Sequence, residues 1–158
     1  ARRDAMIGRF TAAGVPLDLA TRVAAFQALG SALDLVEVAE LSARPLTLVA
    51  QVHFLLIGRL GLGWLTDRIA QLPADGHWQL QVKNALRDDL VGVLRGLSTR
   101  VLAESNESEN ATSLCEHWLA THRTAVERAT RVVEELRTVT APEATMLSVA
   151  LRELRSLS

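Results

Sequence analysis

Tyrosine does not occur in this chain, cysteine occurs once, and phenylalanine and tryptophan occur three times each. A single thiol, Cys115, excludes an internal disulfide and fits a reducing compartment. Scarce aromatics, and the want of any alternating apolar run bounded by hairpin turns, leave almost no strand signal. Neither sign of charge prevails: 17 basic against 18 acidic side chains give a formal net charge of −1. That balance lacks the basic excess which nucleic acid or an anionic membrane surface demands. Also missing is an apolar run of the roughly 18–20 residues that a membrane span needs. The most apolar stretch, LTLVAQVHFLLIG, is interrupted by Gln51 and His53 and reads as a buried core helix. The opening ARRDAMIGRF has basic residues but no apolar segment behind them, so no signal peptide is expected. The sequons at Asn106 and Asn110 matter only in a secreted protein and are read as chance matches. The first residue is Ala, as expected of a piece cut from something larger.

What is present is a globular balance, 49% hydrophobic and 22% charged, in a length of 158 residues that suits one domain. Roughly eight helices are expected, in a single all-α helical-bundle domain spanning residues 1–158. A short helix near 2–13 is stopped by Gly14. Val15-Pro16 opens a second, with an apolar face of Leu19, Val23 and Phe26 and an end at Gly30. Ser31 can cap a third, ALDLVEVAELSA, with Asp34 where a capping box places an acid. After Arg44-Pro45 comes LTLVAQVHFLLIGRL, apolar on nearly every side and therefore central. WLTDRIAQL follows as a short helix ended by Leu72-Pro73. Two long helices come next. The first carries a stripe of Trp78, Val82, Leu86, Leu90, Leu94, Leu97 and Val101. The second, after the solvated loop ESNESEN, carries Leu114, Trp118, Thr121, Ala125, Ala129, Val132 and Leu136, in a spacing that suits antiparallel packing on the first. Thr140-Ala141-Pro142-Glu143 opens a last helix whose apolar face is Leu147, Ala150, Leu151 and Leu154.

Few residues invite a chemical reading. IGRLGLGWLTDRI places Gly58, Gly61 and Gly63 in the order G-x-x-G-x-G. A dinucleotide fingerprint has the reverse order, follows a strand and opens a helix. Here a helical segment precedes, and Leu60 and Leu62 suit core contact better than close phosphate approach. Gly61 or Gly63 is expected to supply the left-handed position that ends a helix. His117 and His122 are five apart, off one helical face, and Cys115 projects elsewhere. His53 reads as a hydrogen-bonded core histidine, and His77 as exposed at a helix start. Adjacent Asp88 and Asp89 diverge by about 100 degrees on a helix and cannot serve one site. They are expected to pair with Lys83, Arg87 or Arg95, on the same helix or a neighbour. No nucleophile context surrounds Cys115. No catalytic, cofactor-binding or metal-binding residue is therefore assigned.

The succession ALDLVEVAE, RPLTLVAQVHFLLIGRLGLGWLTDRIAQLP and HWQLQVKNALRDDLVGVLRGLSTRVL resembles the C-terminal part of the large bacterial NAD-specific glutamate dehydrogenases. In that family a run like ALDIVEVA leads to LGLxWL, a leucine-proline stop, a tryptophan and then ALRDDL. The resemblance covers residues 32–102, about half the chain, with weaker motifs on either side. It implies a much longer cytoplasmic parent that deaminates L-glutamate to 2-oxoglutarate and ammonia while reducing NAD. It also implies that the glutamate- and nicotinamide-binding residues precede this region, since neither the nucleotide loop nor the substrate lysines can be matched here. Three roles are then open: a structural and oligomer-assembly module joining other domains or subunits of a homo-oligomer, an effector-binding regulatory module, or a free-standing helical adaptor. The near-continuously apolar helices and the three tryptophans favour the first.

Overall fold

A computed structural model describes residues 2–21, 33–104 and 110–158, and these are all-α. The helices are α1 Arg2–Ala12, α2 Leu33–Ser42, α3 Leu46–Arg59, α4 Leu62–Ala70, α5 His77–Ala103, α6 Ala111–Thr121, α7 Arg123–Leu136 and α8 Ala144–Arg155. Residues 17–21 are helical as well. The expectations placed on Val23, Phe26, Gly30, Ser31 and the side chain of Asp34 lie outside the described residues.

One continuous core joins the helices into a single domain. At its centre is α3, which buries Leu48, Val49, Ala50, Val52, His53 and Leu56 and packs on α2, α4, α5 and α6. The long helix α5 runs past α2, α3, α4 and α8, and α8 lies between α5 and α7. All four residues of the expected α8 face are buried. Among the described residues no single helix is long and apolar enough to cross a membrane; the apolar α2 and α3 meet at a bend of 119°.

Backbone hydrogen bonds explain where several helices stop. Gly14 takes φ +92°, Val15 N–H donates to the Phe10 carbonyl at 3.0 Å, and Gly14 N–H donates to Thr11 at 3.0 Å. That is a Schellman end, and its usual apolar contact is supplied by Val15 and Phe10, both buried. The end of α2 repeats the pattern with Ala43 in the glycine position: φ is +55°, with bonds Arg44 N–H to Ala39 at 3.2 Å and Ala43 N–H to Glu40 at 3.3 Å. Lys83, on α5, closes the end of α4 by donating from Nζ to the Ala70 carbonyl at 2.7 Å and the Leu72 carbonyl at 3.1 Å.

Two expectations need correction. The second long helix is broken, because His122 takes φ −107° and ψ +27° between α6 and α7. The break shifts the buried face: Thr121 and Ala125 are exposed, and Val126 and Val133 turn inward in their place. Instead of lying antiparallel along α5, α6 packs mainly on α3 and α7 mainly on α8. The other correction concerns Trp78, placed in the core stripe by its spacing but 75% exposed. It stands in the first turn of α5, where the stripe begins before the neighbouring helices cover it.

Candidate functional site

Among the described residues, the buried polar side chains His53 and Ser98 meet each other inside the core. His53 is buried, with Nδ1 at 3.2 Å from the Val49 carbonyl and 3.0 Å from Ser98 Oγ on α5. A carbonyl can only accept, which assigns the ring proton to Nδ1. Burial lowers the His53 pKa from 6.5 to about 4, partly offset by the bond to Val49, so the ring is neutral at physiological pH. His53 thus has the environment of a core histidine tying α3 to α5. Cys115 is buried too, and burial, aided by Glu116 and opposed by Arg59, raises its thiol to about 11. At neutral pH it is a protonated thiol, the unreactive form.

His117 is exposed, whereas His122 donates from Nε2–H to both carboxylate oxygens of Glu104, at 2.9 and 3.0 Å. The same ring lies 5.0 Å from that of Trp118. His77 is exposed, with its Nε2 3.1 Å from Gln81 Nε2. Among the described residues no group of three or more His, Cys, Asp and Glu is gathered as metal ligands would be. Asp89 pairs with Arg155 of α8 at 2.9 Å, a partner that spacing along α5 could not reveal. Of the expected partners, Arg95 pairs with Glu37 of α2, Arg87 donates to Asn84 Oδ1 at 3.5 Å and Lys83 caps α4; Arg59 pairs with Glu116 of α6.

The glycine corner is filled from within. Gly61 alone of its three glycines is left-handed, at φ +70°, and a Cβ there would meet Val133 Cγ1 at 3.1 Å. Leu60 and Leu62, on either side, are buried. Gly58 and Gly63 lie within helices. The corner therefore turns α3 into α4 against α7, with leucines inward.

The surface offers grooves and apolar side chains. A groove of about 520 Å³ is lined by Leu19, Gln51, Phe54, Leu55, Asn110 and Ala111, at the start of α6. A smaller one of about 120 Å³ lies between Leu72, Pro73, Trp78, Val82 and Ala144. Besides Trp78, Leu80 is 42% exposed nearby, and on the outer face of α8 Met146 is 40% and Val149 47% exposed.

Comparison with known proteins assigns this architecture. The family described as "Glutamate dehydrogenase, C-terminal" matches residues 1–156. The chain belongs to this family. The match takes in the first and last helices, beyond the 32–102 stretch legible from motifs. Among curated relatives, the NAD-specific glutamate dehydrogenase of Mycobacterium tuberculosis is 33% identical over 149 residues, covering 94% of this chain but 9% of the relative. That of Pseudomonas aeruginosa is 32% identical over 146 residues, with 92% and 9% covered. The Halomonas elongata enzyme of the same name is 27% identical over 146 residues. The chain thus spans about a tenth of the length of the relatives it matches.

Proposed function

We propose that residues 1–158 form the C-terminal helical domain of a much longer NAD-dependent glutamate dehydrogenase, in which they assist assembly and perform no chemistry. In that parent the reaction would be L-glutamate with NAD to 2-oxoglutarate, ammonia and NADH, in the cytoplasm, with NAD held outside this segment. The family match supports the parent. The assembly role is carried by the apolar side chains left outside the core, above all Trp78. A single exposed indole of this size beside a groove walled by Leu72, Pro73 and Val82 is the composition of an interface anchor. Its occupant in this reading is another domain or subunit of the parent.

Sedimentation of the full-length enzyme carrying Trp78→Ser and Leu80→Ser tests the assignment. Loss of about 2 kcal/mol at an anchor corresponds to a roughly 30-fold weaker assembly. Wild-type sedimentation from this variant and from a Met146→Ser, Val149→Ser variant would count against the reading.

A further inference from the structure

Among the described residues, the ion pairs that join helices match opposite charges: Arg59 with Glu116, Arg95 with Glu37, and Arg155 with Asp89. The corner between α4 and the end of α7 reverses that pattern. Trp64, half-buried in the first turns of α4, has the Arg68 guanidinium 5.6 Å from its ring centroid. Arg137, just past α7, brings a second guanidinium to 5.9 Å of the same ring. Arg68 comes from one turn further along α4, and Arg137 arrives because Val133 of α7 is pressed against Gly61. Neither arginine has a carboxylate within 4 Å among the described residues. Arg68 donates to Gln71 Oε1 at 3.1 Å, which is neutral, and Asp67 and Glu134 lie close in sequence without pairing.

An indole face restrains a guanidinium while leaving most of its five donors directed at solvent. Two such groups from separate elements, held on one ring and unneutralised, form a preorganised receptor for carboxylates. A carboxylate accepts bidentate bonds from the planar fork, and the ring edge supplies an apolar floor for its methylenes. We infer that the Arg68–Trp64–Arg137 corner docks an acidic polypeptide segment, one presenting Glu or Asp side chains to both arginines. This inference rests on the assembly reading in taking the partner to be a segment of polypeptide. It assigns to that partner a chemistry which the apolar Trp78 surface does not.

The probe is a hexaglutamate peptide, titrated into the 158-residue chain at about 50 mM salt, where exposed charges are weakly screened. Trp78→Phe removes the exposed indole, so the emission change reports Trp64 above the buried Trp118. The expected result is saturable binding that weakens at least roughly tenfold in Arg68→Gln, Arg137→Gln, as loss of two charge-assisted contacts requires. It should be unchanged in Arg128→Gln, Arg131→Gln, which removes the same charge from an exposed face of α7. Equal weakening in both double variants would reduce the effect to net charge and overturn the inference. Free glutarate binding as tightly as the peptide would overturn it too, since the site would then take a small dicarboxylate. Absence of saturable binding overturns the docking chemistry alone, and leaves assembly to be judged by the Trp78 and Met146 variants.

Discussion

At the scale of single residues, two positions share one backbone requirement and answer it differently. Gly61 and Ala43 both sit at positive φ, at +70° and +55°. A side chain in that region costs about 1–2 kcal/mol. Ala43→Gly is therefore expected to raise stability by about 1 kcal/mol, measured by urea unfolding. Gly61→Ala should lower it by about 2 kcal/mol, since strain and the approach to Val133 add. The spacing of glycines in IGRLGLGWL showed that a turn was there. Which glycine made it depended on Val133, some seventy positions away, and was not readable locally.

His53 supplies the pH dependence at this scale. Its pKa is about 4 in the folded chain against 6.5 in the unfolded one. Between those values the unfolded state binds a proton that the folded state refuses, so stability rises with pH. Its contribution is complete above pH 6.5 and is lost as pH falls toward 4, amounting to about 3 kcal/mol. His53→Gln keeps a hydrogen-bonding side chain and removes the titration. Chemical unfolding at a series of pH values should show that slope in the wild type and a flatter profile in the variant.

At the scale of elements, periodicity served well where one helix packs on one face. α8 buries Leu147, Ala150, Leu151 and Leu154 as its spacing indicates, and α3 is central as its continuous apolarity indicates. It served poorly at the α6–α7 break, because neither proline nor glycine marks residues 121–123 and the apolar pattern runs through them. What sustains the break is tertiary: Trp118 buried in the core and His122 held between that ring and Glu104. These two contributions should separate on mutation. Trp118→Ala should cost about 3–5 kcal/mol, the usual loss for a buried large aromatic. His122→Ala removes a partly exposed pair and a ring contact and should cost about 1 kcal/mol or less. Near-equal losses in thermal unfolding would mean that the polar contacts, and not the core, hold the bend.

At the scale of the whole molecule, the candidate site was the least legible part. The motifs in ALDLVEVAE and LGLGWL identified the family, yet they do not indicate which apolar residues stay outside. Trp78 follows the spacing of a core stripe and is exposed because α5 begins beyond the reach of its neighbours. The arginines that converge on Trp64 are 69 positions apart and meet only through the α4–α7 packing. Surface is a property of the assembled helices, so its anchors emerge only when the helices are placed.

Sedimentation velocity of the proposed full-length parent, with and without the residues corresponding to this chain, tests the central claim most directly. An assembly module predicts that the truncated enzyme sediments as smaller species at concentrations where the intact enzyme holds together. Identical sedimentation of the two forms would contradict it.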